Sequence, residues 1–162
     1  MPDSTVVRRA RTDDVTAVAK IWYEGWRDGH LGNVDEELVR VRTPESFHER
    51  AAARVDDTLV ITVGEKVAGF VMVVADEVEQ VYVGRPHRGT DVSPRLLSAA
   101  EAQVGKSGHD IAWLAVVPGN ERARRFYRRC GWTDKGPFDY TAQVGTGTTV
   151  IPAHRYTKVL NG

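Results

Sequence analysis

The segment from Glu77 to Val117 constrains the chain more than any other. Glu77 to Val83 is rich in β-branched and aromatic residues and reads as a strand. Ser93 followed by Pro94 reads as a helix entry, with Ser as N-cap and Pro at the first helical position. Leu96, Leu97, Ala100 and Val104 give that helix one apolar face, and Gly105 to Gly108 ends it. Ile111 to Val117 is then a continuous apolar run, the pattern of a strand covered on both faces. Strand, helix and strand in that order imply a parallel pair with a right-handed crossover.

The loop inside this unit, Arg88-Gly89-Thr90-Asp91-Val92, feeds a helix N-terminus. Several backbone N–H groups are unpaired there, at the positive end of the helix dipole, and such a place binds phosphate. An ordinary turn that binds nothing fits the same residues, so the rest of the chain has to decide.

Before this unit, Thr5 to Arg9 alternates weakly as a first strand, and Thr12-Asp13-Asp14 caps a helix running to about Asp28. Val15, Val18, Ala19, Trp22 and Trp26 form its apolar stripe, with the tryptophans as core or cleft wall. Gly29 to Arg42 reads as loop or fraying helix. Thr43-Pro44 starts a second helix with Phe47, Ala51 and Val55 inward. Leu59–Val63 and Val67–Val74 make an antiparallel hairpin about Gly64-Glu65-Lys66. After Val117, Asn120 caps a helix from Glu121 to Cys130 that stops at Gly131, and Phe138–Val144 and His154–Leu160 are two closing strands.

The order is βααβββαβαββ, an α/β (α+β) chain with a central mixed sheet of about seven strands flanked by four helices. Its 162 residues suit one domain, 1–162, able to bury a sizeable core. No segment approaches the ~20 apolar residues of a membrane span, and Met1 to Ala10 is charged, unlike a signal peptide. The single cysteine, Cys130, excludes an internal disulfide and cysteine-rich metal sites and suits a reducing cytoplasm. Lys+Arg and Asp+Glu balance at 22 each, so no global field favours nucleic acid or an anionic membrane, and a small partner is expected.

The element order, the Arg88 loop after the fourth strand, and the stretch Asn120-Glu-Arg-Ala-Arg-Arg-Phe-Tyr-Arg-Arg-Cys-Gly-Trp132 together resemble the GNAT superfamily of N-acetyltransferases. The resemblance spans nearly the whole chain and is strongest from Val81 to Trp132. It implies acetyl-CoA as cosubstrate and an amine acceptor, and no metal is expected from the cysteine and histidine pattern. In that family the loop pattern is Gln/Arg-x-x-Gly-x-Gly/Ala, and its backbone N–H groups hold the pyrophosphate. Here Arg88, Gly89, Thr90, Asp91, Val92 and Ser93 occupy it, with Asp91 and Ser93 in place of the two small residues. A carboxylate beside a pyrophosphate is repulsive unless it turns away or caps an N–H.

By the same resemblance, strands four and five splay apart, leaving backbone groups of Val81 and Val83 for the pantetheine arm, with Asn120 also at the cofactor. Tyr127 stands where the family often has the acid that protonates the CoA thiolate; at an ordinary pKa of ~10 a tyrosine carries its proton at neutral pH. It also shares a helical face with Ala123, Phe126 and Cys130, as a core aromatic would. An acceptor ammonium must lose a proton before it attacks. Glu77 and Glu79, two apart on one strand face, are the candidates to take it, and solvated or salt-bridged carboxylates are the plainer reading of both.

Weaker signals remain. The arginines Arg122, Arg124, Arg125, Arg128 and Arg129 read as a solvated face from which one or two reach cofactor phosphates. Asp28, Asp35, Glu36 and Glu37, with Tyr23 and Trp26, suggest either a solvated loop or an acidic rim suited to a cationic amine. The five histidines show no metal-ligand spacing. A second reading is a non-catalytic acyl-CoA-binding or regulatory module of the same fold, with cofactor binding weakened by Asp91. The C-terminal strands are open to pairing with a second copy.

Overall fold

The computed structural model describes residues 4–30, 32, 34–144 and 147–160, so the reading of Met1–Ala10 falls partly outside it. Strands β1 (Thr5–Arg9), β2 (Thr58–Val63), β3 (Lys66–Val74), β4 (Glu77–Val83), β5 (Ile111–Val116), β6 (Thr133–Val144) and β7 (Gly147–Val159) form one mixed sheet. Their order across it is β1-β2-β3-β4-β5-β7-β6. The helices are α1 (Val15–His30), α2 (Glu36–Val41), α3 (Pro44–Ala53), α4 (Val92–Lys106) and α5 (Glu121–Arg129).

The apolar stripes seen in the sequence set which helix covers which face. On one face α1 and α3 bury Trp22, Phe47 and Phe70, with Trp22 edge-on to the other two at 5.3 and 5.7 Å. On the other, Leu96, Leu97, Ala100 and Val104 of α4 pack with Tyr127, Trp132 and Tyr156. Each fully buried side chain of this size contributes roughly 1.5–3 kcal/mol of transfer free energy, which makes these two clusters the main support of the sheet.

β4 pairs antiparallel with β3, but its parallel pairing with β5 is confined to Glu77 opposite Trp113. Beyond that point the two strands diverge. A β-bulge accompanies the divergence: Val78 pairs with Val73 and Gln80 with Met72, so Glu79 is the extra residue. The bulge explains why Val78 and Val81, three apart, pack on the α4 side while Tyr82 packs on the α1 side.

Several expectations change. β5 is covered on one face only: Ala112, Leu114 and Val116 are buried, Ile111 is exposed, and Trp113 and Ala115 are half-buried. The sheet is open beside β5, so an apolar run does not here mean a doubly covered strand. The stretch read as loop or fraying helix contains α2, anchored by buried Leu38, so among the described residues five α-helices replace four. α4 begins at Val92 after Asp91 rather than after a Ser93 cap. Val92 is buried under the helix and its N–H points to Thr90 Oγ1 at 3.3 Å, which draws the helix start back by two residues. β6 and β7 are also longer than read from sequence, pairing as one hairpin from Thr133↔Thr157 to Val144↔Gly147.

Candidate active site

Backbone geometry at the divergence follows from the strand pairing. Gly84 N–H bonds the Ala68 carbonyl at 2.7 Å, so alternation turns the peptide groups of Val83 and Val81 away from β3 and into the gap beside β5. The Val83 carbonyl there accepts from Arg88 Nε at 3.1 Å. Two cavities flank the gap.

The first, about 510 Å³, is lined by β4, the loop into α4, and α5. Arg88, Gly89, Thr90 and Ser93 line it, as do Arg122 and Arg129. Gly89 has φ +76°, a conformation that glycine adopts without strain. Among the described residues the N–H groups of Gly89, Thr90, Asp91 and Ser93 have no hydrogen-bond partner. Asp91 itself is exposed and outside the lining. Val92 contributes neither side chain nor N–H, the one being in the core and the other turned to Thr90.

Arg88 is held in place rather than free to swing. Its Nη1 lies 2.8 Å from Asp28 Oδ2, and Arg85 binds the same carboxylate at 2.9 and 3.0 Å. Hydrogen bonding from Arg85, working against burial and reinforced by Arg88, holds Asp28 down at about 2. Asp28 therefore ties α1 to the loop that precedes α4. Asp35, Glu36 and Glu37 are exposed and line neither cavity, so among the described residues these three form no acidic rim around either one.

The second cavity, about 470 Å³, lies between β4, β5, α1, α3 and the β6–β7 hairpin. Trp26 and His30 form part of its wall, stacked at 5.0 Å, and the ring Nδ1 of His30 lies 2.9 Å from the Trp26 carbonyl oxygen. Burial outweighs that bond and lowers the His30 pKa below its ordinary value, so the ring is neutral at pH 7 with Nδ1 as donor. Arg42, Arg50 and Arg54 stand around the same space.

The two candidate carboxylates differ in setting. Glu79 lines the cavity and accepts from both Arg54 nitrogens at 2.8 and 3.1 Å. Glu77 does not line it; its Oε2 accepts from the Tyr140 hydroxyl at 2.6 Å, and Tyr140 does line it. Burial raises the Glu77 pKa, partly offset by the Tyr140 bond and reinforced by the charge of Glu79.

Val81, Tyr82, Asn120, Ala123 and Tyr127 line both cavities and mark where they meet. Asn120 Oδ1 accepts from Ala123 N–H at 3.3 Å as the α5 cap, while its Nδ2 lies 2.6 Å from where a Gly29 Cβ would stand, joining α5 to the end of α1. Tyr127 is buried among Phe126, Trp132 and Tyr156, and its hydroxyl has no hydrogen-bond partner among the described residues. Burial, then Tyr82, raises its pKa, so it is protonated at neutral pH. Tyr127 is thus packed in the core and also lines both cavities.

The sequence reading did not bring in His30, Arg42, Arg50, Arg54 or Tyr140. His30 follows Trp26 by four on α1, a spacing that does place the two on one face. The α3 arginines carried no such signal, because a surface arginine and a cavity arginine look alike in sequence. Among the basic residues of α5, Arg122 and Arg129 line the first cavity, whereas Arg124 is committed to Asp134, the Pro118 carbonyl and the Tyr156 hydroxyl.

Known proteins share this fold. A family model described as Acetyltransferase (GNAT) family matches residues 16–132. Among solved structures, a GCN5-related N-acetyltransferase (aminotransferase, class II) of Rhodopseudomonas palustris aligns with TM-score 0.77 at 21% identity, over 99% of this chain and 98% of its own. The PaiA N-acetyltransferase of Thermoplasma acidophilum, in complex with coenzyme A, gives 0.72 at 18%, over 97% and 99%. YncA of Salmonella typhimurium, with its cofactor acetyl-CoA, gives 0.67 at 18%, over 98% and 95%. At these identities the structures show the fold, and no curated protein matches in sequence. With the family model covering most of its length, the chain belongs to the acetyltransferase (GNAT) family.

Proposed function

We propose that this protein is an acetyl-CoA-dependent N-acetyltransferase in which a bound amine attacks the thioester directly. The observation that carries the reading is the meeting of the two cavities at Val81, Tyr82, Asn120, Ala123 and Tyr127, where β4 and β5 part. One cavity supplies unpaired N–H groups at a helix start, suited to a pyrophosphate, with Arg122 and Arg129 nearby. The peptide groups of Val81 and Val83 face the gap, suited to an extended pantetheine arm and to polarising the thioester carbonyl. The other cavity receives the amine.

The reaction forms a nitrogen–carbon bond and breaks the carbon–sulfur bond. The departing thiolate takes the proton of the Tyr127 hydroxyl, which is protonated at neutral pH and has no competing partner among the described residues. The amine proton passes to Glu79, directly or through water, or to the Tyr140 oxygen as Tyr140 hands its own proton to Glu77. The second route uses the carboxyl with the raised pKa and leaves the Glu79–Arg54 pair intact.

Chain 1–162 works as one domain in this reading. Cys130 suits a reducing cytoplasm, and among the described residues no helix is long and apolar enough to cross a membrane. No group of three or more His, Cys, Asp or Glu among them is arranged to hold a metal, and none is needed for attack by an amine. β6, at one edge of the sheet, is open to pairing with a second copy. The test is amine-dependent release of CoA from acetyl-CoA, followed by a thiol reagent across a broad amine panel. Acetylated product with stoichiometric CoA supports the reading; binding of acetyl-CoA without transfer to any amine would leave the non-catalytic module in its place.

A further inference from the structure

The acceptor-side cavity carries more positive charge than its own carboxylates balance. Of the described residues lining it, Arg42, Arg50 and Arg54 are cationic at neutral pH and Glu79 is the only carboxylate. Glu79 is bound at both oxygens by Arg54, which also reaches Asp57 at 3.0 Å, so that pair is settled. Arg50 is different. Its guanidinium lies over the rings of Trp22 at 4.2 Å and Phe47 at 5.1 Å, and its Nη1 is buried with no hydrogen-bond partner among the described residues. No carboxylate stands within ion-pair distance of it among those residues. Burial and then the neighbouring charge of Arg42 lower it to about 10, so it stays cationic at pH 7.

Arg50 is half-buried as a residue, but a guanidinium stacked on aromatic faces with Nη1 shut off from water and lacking an acceptor is costly unless something anionic meets it. Next to it stands Tyr82, kept protonated by burial and able to donate to the same ligand. The arginine fork matches a planar oxyanion with two parallel hydrogen bonds.

We propose that the amine acceptor carries an oxyanion, a carboxylate or a phosphonate, which pairs with Arg50 beside Arg42 and Tyr82 in this cavity. The proposal rests on the reading that the cavity receives the acceptor. It replaces the cationic acceptor suggested by an acidic rim with one that is an amine at one end and an anion at the other. An amino acid or a short peptide bearing a free carboxylate has that chemistry and fits a space of about 470 Å³.

Two measurements test it, one of which does not depend on acetyl transfer. The first compares kcat/KM, by CoA release, for a panel of amino acids (glycine, alanine, leucine, phenylalanine, glutamate), their carboxamides and their aminophosphonate analogues. The charged member of at least one set should exceed its carboxamide by about thirtyfold or more, mainly through KM, as expected when a buried charge gains its partner. The carboxylate and phosphonate arms then identify which oxyanion is preferred. Arg50→Met, which keeps an unbranched stem over the rings, should erase the difference, and Arg50→Lys should restore part of it.

The second titrates the N-acetylated amino acids and their amides into the protein without acetyl-CoA, by calorimetry. Binding by a carboxylate, weakened at least about tenfold in Arg50→Met, upholds the anion site even if no amine is acetylated. Equal rates within every set, a preference for carboxamides, or no carboxylate binding anywhere in the panel overturns it. Circular dichroism on both variants shows whether they fold.

Discussion

The Tyr140 hydroxyl donates to Glu77 Oε2 at 2.6 Å, tying the last hairpin of the sheet to the strand at which the sheet divides. The bond opposes the burial that raises the Glu77 pKa. Removing it with Tyr140→Phe should raise that pKa further. If the Tyr140–Glu77 route carries the amine proton, the acid limb of the kcat/KM profile moves to higher pH and kcat falls. An unchanged profile would assign the proton to Glu79. A stability consequence follows with a definite sign. Because the folded carboxyl holds its proton more tightly than the unfolded one, its contribution is full below the ordinary value of 4.5 and is lost as pH rises through the raised folded value. Glu77→Gln should flatten that decline in urea melts across the same window.

Tyr127→Phe removes one oxygen and keeps the ring against Phe126, Trp132 and Tyr156. Since that hydroxyl has no hydrogen-bond partner among the described residues, stability should change by less than about 1 kcal/mol. The same change should lower kcat by roughly a hundredfold, the usual scale of a lost general acid, with acetyl-CoA affinity nearly unaltered. Normal turnover would remove Tyr127 from the chemistry and leave it a core residue.

Gly25 on α1 lies against Tyr82, and a Cβ at that position would overlap the ring. Gly25→Ala gains about 1 kcal/mol of helix propensity, against about 1–3 kcal/mol for overpacking. The clash should win. A net destabilisation in chemical melts, together with an altered acceptor KM as Tyr82 shifts, is the expected outcome.

Asp28 joins α1 to the loop through Arg85 and Arg88. Its folded pKa of about 2 lies below the ordinary 3.8, so its stabilisation is present above the unfolded value and is lost as pH falls through about 2. Asp28→Asn should therefore make the loss of stability between pH 4 and 2 shallower, while loosening Arg88 and weakening acetyl-CoA binding at neutral pH.

The sequence made the architecture legible because its signals are local and periodic. The α1 and α4 stripes, the hairpin turn at Gly64, the Asn120 cap and the crossover each depend on near neighbours, and all appear in the structure. What escaped depends on distant partners. The helix start at Val92 is set by core packing and a threonine hydroxyl, and β5 is half-open because β4 leaves it after one pair. The direction of Asp28, Arg50 and Glu79 was equally unreadable, since each is fixed by a residue more than twenty positions away: Arg85 and Arg88, Trp22, and Arg54 respectively. Charged residue types gave the inventory of the site but not its sign: the loop acids allowed either a solvated loop or a rim for cations, and the charged residues described in the cavity lining are Arg42, Arg50, Arg54 and Glu79.

The most direct test of the account is a calorimetric titration of acetyl-CoA into the protein, with Asp91→Gly alongside. The exposed position of Asp91, outside the cavity lining, predicts micromolar binding by the natural protein and the same affinity in the variant. No binding by the natural protein, with binding gained in Asp91→Gly, would contradict the account, because the loop would then be a site closed to the cofactor.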